Sequence, residues 1–272
     1  MHLAPADILK PFIKSYSVVT LEKDLTNEVF YPSGYVDLAI NISNGKAATI
    51  IDGHRRDMPD VEVLGQLTVP TRLTVAEGTS VLLARIQPHA NALFLPPPAS
   101  DFTNYAVDMQ GVFANESREF YEGLVHAGSL DLKIKALDAF LIQKLRTNEK
   151  MHRKANVISQ LCDAIVKAGE SFDLRTIANT YGLSTRYIQQ LFLDVVGLTP
   201  RAFFSLQRFN KSVNLVLSSN VPLTTIAYDC GYYDQAHFIR EFKKFTGITP
   251  SEARPSLSEG GVKFQQAVNI GL

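Results

Sequence analysis

Two stretches of this chain are one motif written twice. The first runs Leu174-Arg-Thr-Ile-Ala-Asn-Thr-Tyr-Gly-Leu-Ser-Thr-Arg-Tyr-Ile-Gln-Gln-Leu-Phe-Leu-Asp-Val-Val-Gly-Leu-Thr-Pro200, and the second Leu223-Thr-Thr-Ile-Ala-Tyr-Asp-Cys-Gly-Tyr-Tyr-Asp-Gln-Ala-His-Phe-Ile-Arg-Glu-Phe-Lys-Lys-Phe-Thr-Gly-Ile-Thr-Pro250. Thr176-Ile-Ala178 falls on Thr225-Ile-Ala227, Gly182 on Gly231, Phe192 on Phe242, Gly197 on Gly247, and Thr199-Pro200 on Thr249-Pro250. One residue is inserted in the second copy, between the glycine and the phenylalanine. Each copy has the grammar of a helix-turn-helix. A short helix carries an alanine where a second helix must come close, and ends at a glycine suited to the left-handed conformation. A polar N-cap, Ser184 or Asp234, then starts the next helix. That helix has an apolar face (Ile188, Leu191 and Phe192; Phe238 and Phe242) and an opposite face that opens on long polar side chains. A purely structural pair of hairpins has no need of Arg and Gln there.

Outward from the repeat, the charge divides along the chain. The total is neutral, with 27 Lys and Arg against 27 Asp and Glu. Residues 1–152 hold 14 basic against 18 acidic side chains, and residues 153–255 hold 12 against 8. An acidic front and a modestly basic back suit a polyanion partner for the back, although the same +4 also fits an ordinary solvated surface. The polar junction Arg146-Thr-Asn-Glu-Lys-Met-His-Arg-Lys-Ala155 lies between the two halves.

At this point the residues are recognisable: residues 155–254 resemble the DNA-binding domain of the AraC/XylS family of bacterial transcription regulators. The second copy carries the closer likeness, through Ile226-Ala227, Cys230-Gly231-Tyr232, Asp234-Gln235, His237-Phe238, Arg240, Phe242-Lys-Lys244, Gly247 and Thr249-Pro250. The front is similar to a less studied group of sensor-like domains, in Tyr31-Pro-Ser-Gly-Tyr-Val-Asp-Leu38 and in Pro96 through Gly111. The resemblance implies two helix-turn-helix units joined by a connecting helix at about Pro200–Leu217. It also implies double-stranded DNA as partner, RNA polymerase as the target of an activator, and a small-molecule effector or a homodimer contact at the front. The family departs from this chain at three places. Leu193 and Asp194 stand where basic residues usually follow the first phenylalanine, Gln190 where an arginine is common, and Ile239 where a small polar residue is.

Given that likeness, the exposed starts of the two second helices become candidate readers. Arg186 can donate two hydrogen bonds to guanine, and glutamine can pair with adenine. Arg186, Gln189, Gln190, Gln235, His237 and Arg240 are therefore the expected base-reading residues, with His237 alternatively a phosphate ligand. Ser184, Thr185, Lys243 and Lys244 are expected on phosphates, which position without specifying sequence. For any one of them a solvated surface role is the plain alternative.

The front reads as strands from about Ser15 to Leu95, in short runs such as Ser17–Leu21, Thr49–Ile51, Val61–Val63, Arg72–Val75 and Ser80–Ile86, separated by turns at Pro32-Ser-Gly34, Ser43-Asn-Gly45, Asp52-Gly53 and Glu77-Gly78. A sandwich or jelly-roll-like barrel is expected, closed by Pro96-Pro-Pro98. Ile134, Leu137, Leu141 and Leu145 then form a helical stripe, which fits either the barrel or a dimer seam.

The expected architecture is thus a two-domain α+β chain. It has a β-rich front with trailing helices over residues 1–148, an all-α pair of helix-turn-helix units over 149–255, and a tail over 256–272. Tyr31, Tyr35 and Asp37 are weak candidates for a ligand site, with core packing the plainer reading of the tyrosines and an edge or outward-facing carboxylate that of Asp37. The six histidines are scattered singly, which argues against a metal centre. No cofactor motif or catalytic set stands out, so an enzyme is not expected, and a DNA-tethered enzyme or a purely oligomerising front is the alternative. Cys162 and Cys230 are too few for a disulfide framework. With no apolar run of about 18 residues and no leader at Met1–Pro11, the cytoplasm is the expected compartment.

Overall fold

The computed structural model describes residues 2–256; residues 257–272 of the expected tail lie outside them. Ten strands occupy the front: β1 (His2–Leu3), β2 (Ile13–Thr20), β3 (Leu25–Phe30), β4 (Val36–Asn41), β5 (Ala47–Ile51), β6 (His54–Asp57), β7 (Val61–Leu64), β8 (Thr71–Val75), β9 (Ser80–Ile86) and β10 (Ala106–Asp108). They form a six-stranded sheet in the order β1-β2-β9-β4-β7-β10 and a four-stranded sheet in the order β3-β8-β5-β6. Every pairing is antiparallel.

The large sheet is covered on both faces, which is why β4, β7 and β9 are buried at nearly every position, charged Asp37, Glu62 and Arg85 included. Alternate residues still go to opposite sides. Val36, Leu38, Ile40, Leu82, Ala84 and Ile86 face a helical layer, whereas Ala39, Leu64, Val81 and Leu83 face the small sheet. The strand after the triple proline was not expected. The chain turns back past Pro98 and β10 pairs with β7, placing Ala106 opposite Leu64.

The helical layer begins with α1 (Asn91–Phe94), α2 (Met109–Val125, kinked at Ala114) and α3 (Leu130–Thr147). Leu137, Leu141 and Leu145 of α3 are buried against the large sheet together with Phe120 and Leu124 of α2. The apolar stripe therefore packs on its own barrel. Burying such a leucine stabilises by roughly 1.5–3 kcal/mol.

Next comes α4 (Glu149–Ala168), which serves two cores. Ala155 packs with the front layer, and Ile158, Leu161, Cys162 and Ile165 pack with the helices that follow. These are α5 (Leu174–Tyr181), α6 (Thr185–Val195), α7 (Pro200–Ser218), α8 (Leu223–Asp229), α9 (Gln235–Thr246) and α10 (Pro250–Ser256). Both cysteines are buried thiols, and burial pushes the Cys230 thiol up to about 11. Among the described residues, no helix is long and apolar enough to cross a membrane.

Candidate nucleic-acid interface

In the first copy of the motif, Asp173 caps α5 by accepting from the backbone N–H groups of Arg175 and Thr176. The helix ends at Gly182, whose φ of 63° is the left-handed conformation that a side chain would strain. Ser184 then caps α6, its hydroxyl accepting from the Tyr187 N–H at 3.1 Å. In the second copy α8 ends before Gly231, with φ of 76°, and Asp234 caps α9 by accepting from the His237 N–H at 2.6 Å. Each such cap is worth about 0.5–2 kcal/mol. Ala178 and Ala227 are buried, as are Ile188, Leu191 and Phe192 in α6 and Phe238, Phe242 and Phe245 in α9.

Matching cap to cap places the inserted residue. Gly182 is separated from Ser184 by Leu183 alone, and Gly231 from Asp234 by Tyr232 and Tyr233. Tyr232 is buried and Tyr233 is 87% exposed, so the extra residue bulges from the turn as an exposed ring. From the caps onward the two helices run in step: Arg186 corresponds to Ala236, Tyr187 to His237, Gln189 to Ile239 and Gln190 to Arg240. This register pairs His237 with Tyr187, a 46% exposed side chain absent from the expected readers. Spacing counted back from the phenylalanines gives the same register and was the signal for it.

Arg186, Gln189, Gln190, Arg240, Lys243 and Lys244 are all exposed, as is Ser184; Thr185, Gln235 and His237 are half-buried. Within the described residues no hydrogen bond or ion pair holds Arg186 or Arg240. Others are partly engaged. Gln190 Nε2 donates to Asp194 Oδ1 at 2.9 Å on its own helix, and Thr224 Oγ1 donates to Gln235 Oε1 at 2.6 Å. The His237 ring stands edge-on to Tyr232 with Nε2 4.0 Å from Glu241. Lys243 and Lys244 occupy the last turn of α9, where positive charge also suits the helix dipole.

The second copy has an ionic support that the first lacks. Arg208 of α7 is buried; its Nε and Nη2 donate to Glu241 Oε1 and Oε2 at 3.1 and 2.7 Å, and its Nη1 to the Gly231 carbonyl at 3.2 Å. Its guanidinium also lies 4.2 Å from the centre of the Tyr232 ring. One side chain of α7 thus holds α9 and the turn before it together. In the first copy apolar Leu191 stands in the place of Glu241.

Two family models match the chain: a helix-turn-helix domain over residues 177–256 and a domain of unknown function (DUF6597) over residues 1–108. Among curated proteins, the arabinose operon regulatory protein of Escherichia coli K12 is 30% identical over 132 residues, 47% of this chain and 45% of that protein. The virulence regulon transcriptional activator VirF of Yersinia enterocolitica is 29% identical over 85 residues, 31% of each chain. The C-terminal region is a helix-turn-helix domain. The match to this chain spans about 45% of the length of the arabinose operon regulatory proteins. Among solved structures, the C-terminal domain of AraT, a response regulator from Geobacillus stearothermophilus, is 25% identical, covering 38% of this chain and 88% of that one with a TM-score of 0.35. Unsaturated fatty acid-bound ToxT from Vibrio cholerae is 16% identical, covering 89% and 95%, with a TM-score of 0.43.

The three front-half candidates separate. Tyr31 is buried in the core of the C-terminal helices, its ring 6.4 Å from that of Phe242. Tyr35 is half-buried beneath the Arg85 guanidinium, 5.2 Å away. Asp37 is neither at an edge nor outward-facing. It lies in the centre of the large sheet, directly opposite Arg85 on β9, and the two are joined by paired 2.9 Å bonds. A lone aspartate in an apolar strand was the partner of an arginine 48 residues away, which only the register of β4 on β9 brings near. Between the sheets a cavity of about 60 Å³ is lined by Phe30, Asp37, Thr49, Met58 and Glu62 among others. Glu62 is buried there, and loss of hydration pushes its carboxyl up to about 7.

Proposed function

We propose that this protein is a sequence-specific DNA-binding transcription regulator that acts as an activator and reads two successive major grooves, one with α6 and one with α9. The observation that carries this reading is the duplicated cap, turn and polar-faced helix, the two copies joined by a connecting helix. The 19 residues of α7 span about 28 Å at 1.5 Å per residue. Grooves on one side of B-DNA repeat about every 34 Å, so one chain can meet two of them. Arg186, Gln189, Gln190, Gln235, His237 and Arg240 are assigned to base edges, with Tyr187 added at the position matching His237. Ser184, Thr185, Lys243 and Lys244 are assigned to phosphates. The names of the relatives, an operon regulator and a transcriptional activator, support the activator assignment.

The reading extends to RNA polymerase as the partner through which activation acts, to a small-molecule effector or a second copy of the chain at the front half, and to the cytoplasm as the compartment. No enzymatic role is assigned. Selection of bound duplexes from a random pool at defined salt tests the proposal. Two short boxes about 10–10.5 base pairs apart, centre to centre, are expected. Enrichment of no sequence would refute it.

A further inference from the structure

Both reading helices stop at a left-handed glycine, Gly197 after α6 and Gly247 after α9, with φ of 88° and 77°. The repeat makes these positions equivalent, and the front half touches both. At the first, Thr103 Oγ1 donates to the Gly197 carbonyl at 2.7 Å, and Asn91 Nδ2 to the Val196 carbonyl at 3.3 Å. A Cβ on Gly197 would lie 2.9 Å from the Ala99 carbonyl oxygen, so the two backbones approach as closely as glycine allows. At the second, Pro70 sits against Gly247, 3.3 Å from where its Cβ would be, and Tyr31 packs on Phe242 of α9. Between them, Asn210 Nδ2 of α7 donates to the Ser33 carbonyl at 2.8 Å, and Gly34 fits beside Gln207 of α7.

From these contacts we infer that the front half is a brace that sets the distance and rotation between the two reading helices, with Thr103, Asn210, Tyr31 and Pro70 as its positioning residues. The inference rests on the DNA-reading proposal for its use, though not for its geometry. On their own, the units are joined through α7, on which both pack within one helical core. A second bridge, through the front half, closes a frame that resists rotation of one unit against the other. Rotation matters because adding one base pair between two boxes turns them by roughly 34–36° about the duplex. A chain that tells one spacing from the next must be stiff on that scale. The same arrangement gives a use to Tyr31-Pro-Ser-Gly34, in which Tyr31 packs on α9 while Ser33 and Gly34 meet α7.

The test has one arm without DNA and one with it. Spin labels on N179C and T225C, both exposed, report the distance between the units; Cys162 and Cys230 are buried and stay unlabelled. The otherwise unaltered chain is expected to give one narrow distance. Thr103→Val and, independently, Asn210→Ala should widen it, and Thr103→Ser should restore it. In the second arm, selected two-box duplexes are spaced in single-base-pair steps. The unaltered chain should lose about tenfold in affinity one step from the optimum, against about threefold for Thr103→Val, with binding to a single box unchanged.

Unchanged distances together with an equally sharp spacing optimum in both variants would overturn the brace. So would uniformly tighter binding at all spacings, which would make the contact a brake instead. If the distances widen but no duplex is selected, the brace stands and the DNA-reading proposal falls.

Discussion

The two helix-turn-helix units have the same backbone grammar but are held and charged differently. In the first, α6 rests on an apolar face in which Leu191 takes part, and its last turn holds Leu193 and Asp194. In the second, α9 is tied to α7 through the buried Arg208–Glu241 pair, and its last turn holds Lys243 and Lys244. An ion pair fixes direction as well as proximity, because the guanidinium fork accepts a carboxylate in few orientations. The second unit is therefore built for a more defined pose and a stronger field, the first for packing with a weaker one. A duplication that kept its turns and caps has left its two copies unequally held and unequally charged.

Four measurements break or sharpen that contrast. The largest effect is expected from Arg208→Ala, which leaves Glu241 buried without its partner and should cost about 3–5 kcal/mol in thermal or denaturant unfolding. Replacing both partners by apolar residues should recover most of it, as the first unit's Leu191 already implies. Equal losses in the single and double variants would show that the pair contributes little. Next, Arg186→Ala should weaken binding to the selected site by about 1–3 kcal/mol and relax preference at one base pair. A loss shared equally by all sequences would place that arginine on the backbone.

The caps come third. Ser184→Ala and Asp234→Ala should each destabilise by about 0.5–2 kcal/mol, with the aspartate the larger, since a charged acceptor at a helix N-terminus also gains from the dipole. Measured by unfolding, a reversed order would show that the extra Tyr233 relieves the second turn of its need for the cap. The smallest effect is Lys243→Ala. It should lower the dependence of log K on log salt by about one, and Asp194→Lys should raise it by a similar amount. A salt slope unmoved by either would mean that neither last turn reaches phosphate.

What could be read in the chain and what could not follows the reach of each signal. Turns, caps and apolar faces of the two units are local, so Gly182, Ser184, Asp234 and the buried phenylalanines were legible, and α7 was placed to within a residue. In the front half, Ser80–Ile86 was legible to the residue because its apolar run is bounded by a turn. β6 was not: His54, Arg55, Arg56 and Asp57 are all exposed and carry no apolar alternation, and only pairing with β5 makes them a strand. Pairings across distance were invisible for the same reason. Asp37 with Arg85, Arg208 with Glu241, and Tyr31 with Phe242 each depend on a register or a docking that no short window contains.

The stretch from Phe30 to Asp37 belongs to two places at once. Both of its ends form part of the wall of the space between the sheets, while Tyr31 and Ser33, between them, lean on α9 and α7. A stretch anchored in this way offers a direct path by which a change in how the sandwich is filled reaches α9 and α7. Trimming Phe30, buried in the core, should consequently be felt at α9 and α7 as well as in the stability of the sandwich.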